Sequence, residues 1–248
     1  LRMWMKEFLC RQIFLKLGGV TNTTLVDTNG IVVGTRAAWS NTPDFIPDAD
    51  EAAGVGHRYI CAKSTGTDAI TTADVMTLDL VTAAATKASL ANPKIQKIER
   101  GGESFYVMYL HPLCARDIRK SSDWKTAQQY ARERGEKNPI FRGALGYWSN
   151  VLLLENEFVP WLNTAVAGNS FRGAAVGTDC LVNCARNLLV GQSAVLMAEA
   201  SNPDALVVET FDYKNKDGVA ANFIGGIQKA MFNSLEYGVI AVDAAAAV

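Results

Sequence analysis

The residues best suited to chemistry form two histidine–cysteine pairs, His57 with Cys61 and His111 with Cys114. Imidazole nitrogens and thiolate sulfurs are ligands that zinc prefers, and four of them complete a tetrahedral site. Neither pair has the tight C-x-x-C spacing of a zinc knuckle, and the two pairs lie far apart in the sequence. The four residues therefore define a zinc module or zinc-dependent enzyme as one hypothesis, and cysteine packing in the core as its alternative.

His111 and Cys114 also suggest nucleophilic catalysis, in which the imidazole would activate the thiol. Pro112 predicts a helix that begins directly after His111, and the first turn of a helix lowers the pKa of a thiol. The sequence supplies no motif for an orienting third residue or for an oxyanion hole. Packing is therefore the favoured role of Cys114, and no catalytic residue is predicted.

The remaining candidates have structural interpretations. Cys180 and Cys184 lie on one face of a predicted strand, which indicates packing. Asp212 and Asp243 end predicted strands, where a carboxylate can be catalytic but more often is a solvated cap. The residues GALG at 143–146 predict a turn. No dinucleotide fingerprint, phosphate-binding loop or nucleophile elbow occurs, so neither a cofactor nor a metal is predicted.

Residues 94–142 carry eleven basic and six acidic side chains, a local excess of 11 − 6 = +5. Tyr106, Tyr109, Trp124 and Tyr130 lie between them, a combination that can bind single-stranded nucleic acid. The aromatic residues have core-facing spacings, however. Sequence-specific recognition of nucleic acid is therefore not favoured.

The composition narrows the class of protein. The chain has 248 residues, 49% of them hydrophobic, and its 24 basic and 25 acidic side chains leave a net charge of −1. Such a balance is untypical of a dedicated nucleic-acid binder. Five scattered cysteines do not form a disulfide framework, and no apolar run reaches membrane-spanning length. Cytoplasmic synthesis is predicted, and the leading Leu1 suggests a fragment or a processed product.

The stretch 101–160 organises the predicted fold. Residues 105–110 (FYVMYL) are apolar on both faces of a strand, as in the interior of a sheet. Pro112 starts a helix through Lys120, and a second helix follows, capped at 121–123. After these helices, a further strand over 151–154 is predicted to bring the chain back to the sheet.

Around this stretch the sequence predicts α+β structure, because strands come before and after the helices without a regular βαβ rhythm. The other predicted elements are a helix over 1–17, an irregular region over 20–66, a helix over 73–90 capped by Thr71 or Thr72, a hairpin of 94–99 with 104–110, a strand over 181–190, a helix over 192–200, and an antiparallel meander of 205–213, 219–232 and 237–243.

Six segments extend in order over nearly the whole chain: GHRYICA (56–62), MTLDLV (76–81), HPLCARDIRKSSDW (111–124), NPIFRGALGYWSNVLLLENEFVP (138–160), LLVGQSAVLMA (188–198) and FIGGIQKAMFNSLEYGVIAVDAAA (223–246). In sequence and in order they resemble the major capsid proteins of N-four-type tailed phages and their prophage relatives.

The resemblance implies a Hong Kong 97-like capsid fold, with a peripheral domain, a spine helix and an axial domain. It implies a peripheral-type region over 1–110, an axial-type domain over 111–205, and returning strands of the peripheral sheet over 206–248. The family's amino-terminal arm region is expected to be missing, because the chain begins at what resembles a family helix.

The implied function is that of a structural subunit, not an enzyme. The chain would assemble with itself into capsomers and an icosahedral shell. Its other partners would be further virion proteins and packaged DNA, the DNA only through non-specific contacts, with no membrane. The implied location is the virion capsid, after synthesis in the cytoplasm of the bacterial host. A zinc protein and a prophage-derived domain that no longer assembles are the two rivals.

Overall fold

The computed structural model describes residues 2–18, 24–26, 32–35, 58–63, 70–131, 144–162, 182–200, 206–211, 213, 215–221, 225–232 and 235–247. The helices are α1 (Arg2–Leu17), α2 (Leu78–Leu90), α3 (Pro112–Lys120) and α4 (Ser122–Ala131). The strands are β1 (Thr24–Val26), β2 (Val32–Thr35), β3 (Tyr59–Cys61), β4 (Ile98–Arg100), β5 (Glu103–Leu110), β6 (Ala144–Trp148), β7 (Val151–Glu155), β8 (Trp161–Leu162), β9 (Cys184–Val190), β10 (Val195–Glu199), β11 (Leu206–Phe211), β12 (Lys216–Ala221), β13 (Gly225–Lys229), β14 (Met231–Phe232), β15 (Leu235–Glu236) and β16 (Val239–Ala245).

An eight-stranded mixed sheet lies at the centre, in the order β3-β16-β9-β5-β7-β6, with β4 paired to β5 and β8 paired to β9. β16 runs parallel to β3, and β5 runs parallel to β7. The other pairs are antiparallel. The predicted α+β class is confirmed, and the sheet joins strands as far apart in sequence as β3 and β16.

β5 is the interior strand that the sequence predicts. It pairs with β7 on one side and β9 on the other, and side chains on both of its faces are buried. Tyr106 and Met108 face one core, whereas Phe105 and Val107 face another. The two-sided apolar pattern thus reports a strand that is covered on both faces.

The two faces of the sheet carry different helices. The larger core packs α2, α3 and α4 against one face, through side chains such as Val81, Ile118 and Trp124. On the opposite face, Phe14 and Leu17 of α1 pack with residues of β9 and β16. The sheet is therefore the middle layer of a three-layer arrangement.

The predicted start of α2 is wrong by several residues. The Oγ1 atom of Thr77 accepts a hydrogen bond from the backbone N–H of Leu80 and caps the helix at Leu78. Thr71 instead donates to Asp74 through its backbone N–H (2.8 Å) and its hydroxyl (2.7 Å). Val75 forms a parallel bridge with Ala245. The segment before Leu78 is thereby held to the last strand of the sheet instead of joining the helix.

Three further predictions need correction. Residues 192–200 do not form a helix, because 195–199 are strand β10 and pair with β13. Residues 143–146 are not simply a turn, since β6 begins at Ala144 and has a register shift before Gly146. The tail is not one meander. It divides between the β11–β12 pair, β13, the β14–β15 pair, and β16 in the main sheet.

Among the residues described, no helix is both long enough and apolar enough to cross a membrane.

Candidate functional site

His111 occupies the corner between β5 and α3 and caps that helix. Its Nδ1 atom accepts a hydrogen bond from the N–H of Leu113 (3.4 Å), and its own backbone N–H donates to Oδ1 of Asn187 (3.0 Å). The ring stacks on Trp161 with a centroid separation of 6.2 Å. Burial lowers the pKa of His111 to about 4, so the imidazole is neutral at pH 7 and its role is to hold the corner.

Cys114 lies in the first turn of α3, as predicted, but it is fully buried. The side-chain amide of Asn187 donates to its Sγ atom at 3.4 Å. Burial raises the pKa of the Cys114 thiol to about 12, against the lowering that its place in the helix predicts. Desolvation of the thiolate outweighs the helix dipole here, and the thiol is unsuited to act as a nucleophile at neutral pH.

The zinc hypothesis finds no support in the described residues. His57 lies outside them. Cys61 packs on the α1 side of the sheet, whereas Cys114 packs with α2, α3 and α4 on the other side. No group of three or more His, Cys, Asp or Glu side chains in the described part of the chain could hold a metal ion. His111 and Cys114 have the separate contacts given above.

Asp243 differs most from its predicted role. It lies inside β16 and is fully buried, so it is neither a solvated cap nor a residue at the end of its strand. Arg186 donates to it twice, from Nε to Oδ1 (2.8 Å) and from Nη2 to Oδ2 (2.7 Å). The remaining Nη1 atom of Arg186 donates to the carbonyl of Gly18 (3.0 Å), at the end of α1. This ion pair joins β9, β16 and α1.

Arg186 and Asn187 are adjacent in β9 and face opposite sides of the sheet. Arg186 holds α1, while Asn187 holds the β5–α3 corner through His111 and Cys114. Sequence reasoning missed this role. The available signal was a pair of polar residues inside an apolar strand, since buried polar groups require partners.

Four candidate residues from the sequence remain: Asp212, Cys180, Tyr130 and Cys184. Asp212, Cys180 and Tyr130 have no described side chain, so the predictions that involve them lie outside the described residues. Cys184 is buried with Ile70 and Ala245, in agreement with its predicted packing role.

Three of the four aromatic residues named in the basic segment pack inward, as their spacing predicts. Tyr106 and Trp124 belong to the larger core. Tyr109 meets the ring of Phe14 edge-to-face at 5.2 Å. The buried rings of Tyr106 and Trp124 are therefore not available as platforms for stacked bases.

The most exposed apolar surface in the described chain lies on the β11–β12 hairpin. The two strands pair only with each other among the described residues, with Val208 opposite Val219. The exposed apolar side chains are Val207 (46%), Val208 (63%), Phe211 (54%), Tyr213 (103%) and Val219 (50%). Because residues 207 and 208 point to opposite faces, the hairpin is apolar on both. A strand of this kind is normally covered on each side.

A groove lies on another part of the molecule, between α1 and the turn that joins β9 to β10. Its volume is about 410 Å³. The lining is mainly apolar and includes Phe14, Leu17, Tyr109, Val190 and Val195. Asn156 and Gln192 add polar groups, and the exposed Cys10 also contributes. A concave apolar surface with few polar groups is typical of a binding site.

The whole chain, residues 1–248, matches the family model described as phage capsid protein. The chain belongs to this family. The resemblance found in the sequence is thereby confirmed at the level of phage capsid proteins. The hairpin and the groove are accordingly surfaces of a capsid-family protein.

A curated relative of this capsid-family chain is the major capsid protein of Pseudomonas phage KPP25. The two are 28% identical over 263 residues, which cover 99% of this chain and 66% of the relative. The chain therefore spans a little under two thirds of the length of this relative, and the same holds for the solved structures below.

The fold resembles that of solved capsids. The capsid of Ralstonia phage GP4 superposes with a TM-score of 0.70 at 23% identity, covering 96% of this chain and 63% of that one. The capsid asymmetric unit of cyanophage Pam1 gives a TM-score of 0.62 at 23% identity, covering 97% of this chain and 66% of that one. At these identities the likeness concerns the fold.

Proposed function

We propose that the protein is a structural subunit of a bacteriophage or prophage capsid, which assembles with copies of itself into capsomers and an icosahedral shell around DNA. The observation that carries the proposal is the family match over residues 1–248. The likeness of the fold to solved capsids supports it.

The described surface suits such a role. The candidate chemical residues His111, Cys114 and Asp243 are all buried and occupied with internal contacts. Apolar side chains are instead exposed on the β11–β12 hairpin. Exposed apolar patches of this kind mark surfaces for protein association. The function of the protein would then lie in contacts between subunits.

The proposal includes a finer classification. The capsid type would be that of N-four-type tailed phages, with a Hong Kong 97-like fold. Residues 1–110 and 206–248 would be peripheral and 111–205 axial. Because strands from all three segments share one sheet, these limits would separate stretches of chain and not independently folding units.

The proposed partners are other copies of the chain, further virion proteins and packaged DNA. The protein would contact the phosphates of DNA and would not recognise its bases. Added salt should therefore weaken the contact. The proposed location is the virion capsid, after synthesis in the cytoplasm of the host bacterium.

Light scattering and negative-stain microscopy of the purified chain at rising concentration test the proposal. We expect capsomer-sized rings or shells above a threshold concentration. A strict monomer at all concentrations would overturn the assembly function and favour the rival of a prophage-derived domain that no longer assembles. Metal analysis of the same sample tests the other rival, since a zinc module would contain close to one zinc ion per chain.

A further inference from the structure

The end of the β11–β12 hairpin presents two exposed aromatic side chains, Phe211 and Tyr213. Phe211 lies against the backbone of Gly218, where a Cβ atom would approach its Cε2 atom to 2.7 Å. Tyr213 is fully exposed and has a φ of 53°, a left-handed conformation that residues other than glycine rarely adopt. Aromatic side chains that are exposed in this way are common anchors of protein interfaces.

The groove between α1 and the β9–β10 turn matches these aromatic side chains in size and chemistry. Its volume of about 410 Å³ lies within the range of sites that enclose small ligands. The half-buried ring of Tyr109, which meets the buried Phe14 edge-to-face, offers a contact to a further ring. The exposed Gln192 offers a hydrogen-bonding partner to a phenol hydroxyl.

The helix that borders the groove and the hairpin carry opposite net charges, although the groove lining itself has no charged side chain. Residues 2–17, which form α1, carry four basic and one acidic side chain, a net charge of 4 − 1 = +3. Residues 206–221, which form the hairpin, carry two basic and three acidic side chains, a net charge of 2 − 3 = −1. Opposite charges favour the encounter of the two surfaces and suppress pairing of each with itself.

The chain does not fill its own groove with these aromatic residues, because the groove is open while both side chains are exposed. A contact between two different patches on identical chains is heterologous, and its repetition generates a ring when the rotation closes. A capsomer requires contacts of this kind.

From these observations we infer that the aromatic end of the β11–β12 hairpin of one subunit docks into the α1–β9/β10 groove of a neighbouring copy. The inference rests on the proposed function and names the partner surface that the hairpin would use. Phe211 and Tyr213 are the anchors, and the apolar lining of the groove receives them.

Photo-cross-linking tests the contact directly. Tyr213 is replaced by the photoreactive amino acid p-benzoylphenylalanine in the full chain, which is mixed with isotopically labelled chains before assembly. After irradiation of the assembled particles, peptide mass spectrometry should find links between copies to residues 10–17 or 190–195. Particles whose links lie elsewhere, or within one copy, overturn this inference and leave the proposed function standing. Failure to form any particle overturns both.

Matched variants provide a second measurement. Cys10→Trp fills the groove, and Met3→Trp adds the same side chain to an exposed position of α1 outside the groove. Tyr213→Ser removes an anchor, while Leu90→Ser removes an exposed apolar side chain from the end of α2. Cys10→Trp and Tyr213→Ser should raise the concentration for half-assembly by at least about tenfold, as expected for the loss of an interface anchor. The two controls should stay within about twofold of the unaltered chain. Equal effects of variants and controls would overturn the inference.

Discussion

Arg186 and Asp243 show how single residues can join layers of this fold. Both side chains are fully inaccessible, and their two parallel hydrogen bonds form a bidentate pair. Arg186 also lies over the ring of Tyr59, 5.8 Å from its centroid, and donates to Gly18. A buried charge with this many partners is sensitive to the loss of any one of them.

We therefore predict that Asp243→Asn lowers the free energy of unfolding by about 3–5 kcal/mol, because it leaves the charge of Arg186 buried without its counterion. The double variant Arg186→Met, Asp243→Leu should lose less free energy of unfolding than the sum of the losses in Arg186→Met and Asp243→Leu alone, since it removes both charges at once. Urea unfolding followed by circular dichroism measures these differences. A loss below about 1 kcal/mol for Asp243→Asn would contradict the assignment.

His111 predicts a dependence of stability on pH. Its pKa in the folded chain is about 4, below the ordinary value of 6.5. Between these two pH values the unfolded chain binds the proton and the folded chain does not, so stability is fully present above pH 6.5 and falls as the pH drops toward 4. Protonation would also remove the Nδ1 acceptor that caps α3.

The matched variant is His111→Asn, which keeps a good capping residue but does not titrate. Between pH 7 and pH 4.5 the unaltered chain should lose roughly 2–3 kcal/mol more stability than the variant. Urea unfolding at a series of pH values provides the measurement. Parallel pH profiles of the two proteins would show that His111 is not the responsible group.

At the scale of elements, a close approach of backbones fixes where β16 begins. A Cβ atom on Gly238 would lie 2.3 Å from the Cα atom of Ala194 and 2.5 Å from the carbonyl oxygen of Ser193. The carbonyl of Gly238 also accepts a hydrogen bond from the N–H of Gly191 at 2.8 Å. Only glycine allows the β9–β10 turn to pack so closely on this strand.

Gly238→Ala should accordingly destabilise the chain by about 1–3 kcal/mol, because the obstructing atoms are backbone and cannot rotate away. Gly226→Ala is the matched control in β13, where nothing lies within 4 Å of the added atom. Its effect should be within about 1 kcal/mol of zero. Thermal unfolding of the two variants side by side decides the matter, and equal shifts in Tm would count against the close approach.

Local signals explain which elements the sequence could predict. The β5–α3 corner follows from a two-sided apolar run and from Pro112, which both act within a few residues. β10 has a helix-favouring sequence, but its pairing with β13 overrides that preference, and the partner lies far along the chain. Arg186 and Asp243 are 57 positions apart, so no local pattern could join them. The β11–β12 hairpin has the apolar pattern of buried strands, although its side chains are exposed in the described chain. Whether another segment covers a strand is a tertiary property, which the local sequence does not record.

At the scale of the whole molecule, the β11–β12 hairpin lies outside the buried core of the described chain. β16 comes last in sequence and lies between β3 and β9, and Phe14 and Leu17 of α1 pack against it, so the core depends on both ends of the described chain. The β11–β12 hairpin belongs to a separate two-stranded sheet and adds no residue to the four buried core clusters described for this chain. Folding and association can thus be changed separately.

Excision of the hairpin tests this separation. Leu206 and Ala221 are cross-strand partners, so the two ends of residues 206–221 lie close together and a linker of two glycines can join Ala205 to Asn222. We predict that the shortened chain keeps its stability within about 1 kcal/mol, since it loses few buried apolar contacts, but no longer forms particles in light scattering.

The matched control replaces Val208 and Val219 by Thr, which keeps the hairpin and its strand preference but makes one face more polar. The control should retain assembly at a higher threshold concentration, because it keeps the aromatic end. A shortened chain that unfolds would show that the hairpin belongs to the core, and one that still assembles would show that the subunits associate through other surfaces.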